Sequence, residues 1–185
     1  MFSRMPAIPA ENLTSEQREA VAAFKASRGS EPFGPFVPLL RSPELMTRVS
    51  ALGQYLRFTS ALPPRLSEFV ILVTAAHWRE SFEWDLHARI AMKAGLDLTT
   101  LKAIGDLRRP VGLPEEEAVL YDLCREVHER RPVSASVYER AVAVLGEQKV
   151  IDAVGLCGYY AMLAMVLHTA SAAGAAAAEL KLPVP

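Results

Sequence analysis

Glu68, Glu80, Glu83 and His87 are the residues of this chain whose types and spacing can do proton chemistry. In RESFEWDLHARIA, Glu83 follows Glu80 by one helical turn and His87 follows Glu83 by another, so a helix there lines all three on one stripe. A helical pattern from about Pro64 to Trp78 comes just before and must turn back near Arg79. At a rise of ~1.5 Å per residue, Glu68 and His87 then lie at similar depths from that turn. A carboxylate facing an imidazole across such a hairpin fixes its tautomer and raises its basicity, and histidine titrates near neutral pH, so the pair suits proton transfer. The same spacing also fits a plainer reading, a solvated helix face with a favourable i, i+4 pair.

Other side chains are candidates for holding a substrate. Arg57 and Arg65 bracket a proline turn before the Pro64 segment, and the planar guanidinium suits a carboxylate; Arg65 alternatively pairs with Glu68 one turn on. Trp84 and Phe82 flank the stripe and would either wall a water-excluding pocket or serve as ordinary core. His77 adjoins the helix turn, and His128 falls near a helix C-terminus that favours a cation. His168 ends a late apolar segment and is the candidate for a second site contribution, against the alternative of a structural histidine. Tyr159 or Tyr160 can present a hydroxyl to the same place. Cys124 and Cys157 are far apart in sequence and show no CxxC or Cys/His ligand spacing, so they read as reduced core thiols and not as a metal clip or a disulfide framework.

The elements that must position these residues are helical throughout. Thr14 with Gln17 forms a capping box for a helix to about Arg28, stopped by Gly29. After the connector GSEPFGPFVP, Ser42 and Pro43 open a helix to about Phe58. RLSEFVILVTAAHW is apolar on nearly all sides and reads as a central buried helix. The stripe-bearing helix runs from about Ser81 to Ala94, with Gly95 past its end, and a short helix from about Leu98 to Leu107 follows. EEEAVLYDLCREVHERR places acids in its first turn and bases in its last. Ser134 caps the next helix, and Glu147 opens an apolar one to about Ala170. The expected architecture is all-α, with an N-terminal helix and connector over 1–40, one helical domain over 41–170 and an alanine-rich tail over 171–185.

With 185 residues the chain can bury a sizeable core. Its 20 basic residues are scattered and balanced by 21 acids, so neither nucleic acid nor an anionic membrane is an expected partner. MFSRMPAIPAENL lacks a secretory apolar run, and the Ala153–Leu167 stretch falls short of the roughly 18 residues a bilayer needs and holds two glycines; a cytoplasmic protein is expected.

The span LRFTSALPPRLSEFVILVTAAHWRESFEWDLHARIAMKAGL resembles the carboxymuconolactone decarboxylase family, which shares the alkylhydroperoxidase D-like (AhpD-like) all-helical fold. LPEEEAVLYDLCREVHERRPVS and GLCGYYAMLAMVLHT look like further family pieces in order, so the resemblance covers about residues 40–170. It implies a single-domain, multi-helix AhpD-like bundle that forms a homo-oligomer, a trimer or hexamer. In the redox branch the motif has a leading glutamate, a CxxC and a histidine; matched on His87, Glu68 is that glutamate, while Glu80 and Glu83 occupy the cysteine positions. A carboxylate supplies neither a nucleophilic nor a resolving thiol. The resemblance therefore implies a cofactor-free, metal-free lyase of decarboxylase type, in a setting such as aromatic compound catabolism, acting on a small carboxylate or lactone. His87 would be the acid, with Glu68 and Glu83 catalytic beside it, and Glu80, Trp84, Arg65 and His168 would contact substrate. The alternatives are a peroxiredoxin-like thiol peroxidase using Cys124 or Cys157, a non-catalytic oligomeric binding module, and, more remotely, a carboxylate-and-histidine site for a divalent ion.

Overall fold

A computed structural model describes residues 4–129 and 132–171. Among these residues there is no strand. A 3-10 turn, Ala10–Asn12, precedes α1 (Ser15–Arg28), α2 (Phe36–Leu39), α3 (Pro43–Phe58), α4 (Pro64–His77), α5 (Ser81–Lys93), α6 (Leu98–Gly105), α7 (Glu115–His128), α8 (Ala135–Leu145) and α9 (Glu147–Ala170). The local signals act as their chemistry dictates. The Thr14 hydroxyl accepts from Gln17 N–H while the Gln17 side chain accepts from Thr14 N–H, and Gly29 closes α1 in the left-handed conformation. Asp97 and Ser134 cap α6 and α8. The alanine-rich tail expected over 171–185 lies outside the described residues beyond Ser171.

The described chain forms two compact units, residues 4–55 with 162–171, and residues 56–129 with 132–161. In the first, Phe24 of α1 stacks against Phe33 and Phe36, and Arg28 lies over the Phe24 and Phe36 rings while bonding Ser50 of α3.

The second unit is organised around α4. Every residue from Leu66 to Ala76 is buried, and α5, α6 and α7 all pack on it, which is why its sequence is apolar on all sides. Helix α9, at 24 residues, is longer than the apolar stretch taken from the sequence, and by length and composition it is long enough to cross a bilayer. Just over half of its apolar window, 56%, is buried inside the protein, and buried Asp152 receives a hydrogen bond from Ala61 N–H at 2.8 Å, so α9 is a core helix. Gly155 lets Leu56 of α3 close on α9, since a Cβ there would meet Leu56 Cδ2 at 3.1 Å. That approach carries Arg57, the next residue of α3, toward the core.

The α4–α5 hairpin is fastened at both ends. At the tight end, Arg79 adopts positive φ (51°) and its guanidinium donates to the Gly105 carbonyl, while Glu80 N–H bonds Ala75 O at 2.9 Å. At the open end, Arg65 of α4 pairs with Glu117 of α7 (2.5 Å) and donates to the carbonyl of Gly95. Gly95 has φ of 95°, which favours glycine, and a Cβ there would crowd Arg65 Nη1 at 3.0 Å. The Glu117 side chain is only 2% exposed, and its Oε2 has no hydrogen-bond partner. Arg65→Ala is therefore expected to lower unfolding free energy by about 1–3 kcal/mol in urea titrations, with partial recovery on adding Glu117→Gln, which removes the stranded charge.

Candidate active site

The hairpin brings Glu68 of α4 and His87 of α5 into contact. His87 Nδ1 lies 2.6 Å from Glu68 Oε2, and the imidazole is 1% exposed. One turn before His87, Glu83 places Oε2 at 3.5 Å from Nε2, and from α9 the Tyr160 hydroxyl reaches the same nitrogen at 3.1 Å. The Tyr160 ring stands edge-on to the imidazole with centroids 5.1 Å apart, which fixes its plane. Arg57 completes the group: its Nη2 is 3.7 Å from Glu68 Oε1, and its guanidinium lies over the Phe58 ring. Four helices thus contribute one or two polar side chains each to a common centre inside a single unit.

Burial by itself disfavours the imidazolium, but the hydrogen bonds to Glu68 and Glu83, together with their negative charges, outweigh it and raise His87 above its ordinary 6.5. In the charged form Nδ1–H donates to Glu68, and Nε2–H points between the Tyr160 oxygen and Glu83. Tyr160 moves up as well, well above its usual range, chiefly because it is buried; Arg57 works against the rise, and Glu83, Tyr159 and Glu68 add to it. Tyr160 therefore stays a neutral hydroxyl around a histidine that can carry or release a proton. Arg57 keeps one buried donor, Nε, without a hydrogen-bond partner in a side chain that is 17% exposed. A cation with a free donor beside a proton-bearing imidazole is suited to meet an anionic group.

The remaining residues singled out from the sequence go elsewhere. Glu80 is the N-cap of α5, its carboxylate accepting from Phe82 N–H at 2.9 Å. Trp84 is fully buried with its ring against Gly105 of α6, where a Cβ would meet it at 3.2 Å; it is core between α5 and α6. Arg65 serves the Glu117 and Gly95 clamp, so Arg57 and not Arg65 is the arginine at His87. His168 is exposed on α9, and Tyr160 supplies the second contribution expected from that helix. Both Tyr159 and Tyr160 are buried, so helical phase could not have chosen between them. Cys124 and Cys157 are free, buried thiols, and their sulfurs face one another.

Residues 43–120, a span that includes Glu68, Glu80, Glu83 and His87, match the model of the carboxymuconolactone decarboxylase family. None of the curated proteins compared with the chain matches it. Among solved structures, the chain is similar to the alkylhydroperoxidase AhpD core of an uncharacterised peroxidase-related protein from Ralstonia eutropha JMP134, with 15% identity, coverage of 91% of this chain and 90% of that one, and a TM-score of 0.71. It is similar to an AhpD-type protein of unknown function from Agrobacterium tumefaciens, with 17% identity, coverage of 71% and 90%, and a TM-score of 0.64. A third is a variant of the debrominase Bmp8 in complex with 2,3,4-tribromopyrrole, with 11% identity, coverage of 95% and 92%, and a TM-score of 0.69. At these identities the likeness establishes the AhpD-like fold.

The raised His87 value has a definite sign in stability. The folded state holds the proton more tightly than the unfolded chain, so this contribution is fully present below pH 6.5 and is lost as pH rises through the folded value. In an NMR titration the His87 ring should therefore show a midpoint above 6.5, which falls in Glu68→Gln. Denaturant melts should lose stability across the same interval, and His87→Gln should flatten that slope.

Proposed function

We propose that this protein is a cofactor-free acid–base enzyme of decarboxylase or lyase type, acting on a small carboxylate or lactone, with His87 as the proton donor. The observation that supports it most is the buried 2.6 Å contact between Glu68 and His87 Nδ1, which leaves Nε2 as the atom that delivers the proton. Loss of carbon dioxide from a lactone carboxylate leaves an electron pair on carbon. Nε2–H protonates that carbon, and the imidazole returns to its charged form from solvent in the next cycle. Glu68 holds the ring in register and stabilises its charge; Glu83 and the neutral Tyr160 hydroxyl hold the proton at Nε2 until the carbon is in place. Arg57, with its unpartnered Nε, receives the substrate's anionic group. Glu80 and Glu83, where the redox branch has cysteines, give this centre no thiol for peroxide reduction.

His87→Ala is expected to cut turnover of the true substrate by ~10²–10⁴-fold with the fold retained. Glu68→Gln should cost less, and its effect should largely vanish in the His87→Ala background, as for residues acting as one unit. Additive losses would break the relay. Unchanged turnover in a folded His87→Ala protein would remove His87 from the chemistry and overturn the proposal.

The same proposal includes a homo-oligomer, trimeric or hexameric. Its support is a stripe of half-exposed apolar residues on α3, Leu45, Leu52 and Tyr55, which a lone chain would leave wet. Sedimentation at micromolar concentration should show a species larger than one chain, and Leu52→Glu should dissociate it.

A further inference from the structure

Outside the His87 centre, the C-terminal ends of α4 and α7 line a cleft of about 250 Å³. Its floor is apolar: Val73 of α4, Ile104 of α6 and the Tyr121 ring of α7 are all buried. His77 and His128, the last residues of α4 and α7, form one wall, their rings stacked with centroids 4.6 Å apart and planes 14° from parallel. Arg125 and Glu129 also line the cleft, paired with each other one helical turn apart, and the Arg125 side chain is half exposed. The stack excludes one chemistry. The lone pair of an imidazole nitrogen lies in the ring plane, so two nearly parallel rings cannot aim theirs at one metal ion.

Two features show that the cleft is built. A hydroxyl has a single proton, and that of Thr74 goes to the Val70 carbonyl at 3.0 Å, so the Thr74 oxygen accepts from His128 Nε2–H at 3.1 Å. This holds the His128 ring in place and leaves Nδ1 as the nitrogen that exchanges a proton. Leu107, two residues past α6, has φ of 56°, a left-handed conformation that glycine adopts freely and leucine only at a cost. The side chain is 46% exposed, so core packing does not repay that strain. What it gains is a place on the wall of the cleft.

Size and charge together define what fits. An apolar cavity of about 150 Å³ holds a benzene ring, so 250 Å³ takes one ring with a substituent. Among the lining residues three basic groups, His77, His128 and Arg125, face one acid, Glu129, which Arg125 already engages. Both imidazoles stand at helix C-termini, where the charged form is favoured. We propose that this cleft is a binding site for a monocyclic aromatic acid, with the ring on the apolar floor against Leu107 and the carboxylate against Arg125 and the His77–His128 pair. The site uses no residue of the His87 centre. A bound carboxylate stabilises an imidazolium, so binding takes up a proton and strengthens as pH falls through the histidine range. Glu129 is the group that opposes it, by competing for Arg125. Tyr121, whose phenol is pushed up by burial, stays neutral throughout.

The test is an NMR titration of the full-length protein, carbon-labelled at histidine Cε1, with benzoate at constant ionic strength. The expected result is a saturable shift of the His77 and His128 signals with a midpoint at or below roughly 10 mM, tighter at about pH 6 than at about pH 8, and retained in His87→Gln. Benzyl alcohol, which lacks the charge, and acetate, which lacks the ring, should each bind at least about fivefold more weakly. Arg125→Gln should weaken benzoate by roughly tenfold, whereas Glu129→Gln, which releases Arg125, should tighten it. Leu107→Gly suits the local backbone, so it should keep or raise the melting temperature while weakening benzoate by about fivefold. The proposal is overturned by shifts confined to His87, by acetate binding as tightly as benzoate, by unchanged affinity in Leu107→Gly, or by no saturable shift of His77 and His128 up to about 50 mM benzoate. Each of these outcomes leaves the His87 relay standing, because that relay is read from turnover in His87→Ala and not from binding at this cleft.

Discussion

An ionisable cluster buried at His87 constrains the whole second unit. Two carboxylates, an imidazole and a guanidinium cannot be taken out of water unless each is paired, because an uncompensated charge in the interior costs several kcal/mol. The 2.6 Å contact of Glu68 with His87 settles most of that cost, and it demands that α4 and α5 keep one register. Slipping either helix by a residue would turn the carboxylate or the imidazole into apolar core. The fasteners at the two ends of the hairpin, Arg79 on Gly105 and Arg65 on Glu117 and Gly95, make the register the only one available.

The same constraint explains which polar residues are structural. Glu80 sits at the mouth of α5, where its carboxylate meets an orphan backbone N–H, and Arg65 meets a buried glutamate that would otherwise be stranded. Neither is at His87, though both hold the helices that carry it. Arg57 and Tyr160 arrive from outside the hairpin, on α3 and α9, where Gly155 lets Leu56 close on the helix. The centre therefore depends on packing among four helices and not on a local motif.

The fold is that of AhpD-like proteins, and residues 43–120 match the carboxymuconolactone decarboxylase family model. On this scaffold Glu83 sets a carboxylate 3.5 Å from His87 Nε2, the basis of the proposed proton-transfer role. Elsewhere in the unit the buried thiols of Cys124 and Cys157 lie 3.5 Å apart.

The sequence by itself determined what local physics controls. Caps such as Thr14 with Gln17, the prolines opening α3 and α4, and Gly29 and Gly95 beyond helix ends state where helices start and stop, because the groups that satisfy a helix end lie within four residues of it. Even the Glu68–His87 contact was legible, since two helices joined by a short turn have only one depth coordinate. Tertiary packing decided the rest. Which arginine turns inward, which of two adjacent buried tyrosines reaches Nε2, that His168 faces water, and that Cys124 meets Cys157 all depend on crossing positions between helices far apart in the chain. Periodicity reports which face of a helix is buried, but what lies across from that face is set by the packing of side chains that no local spacing encodes.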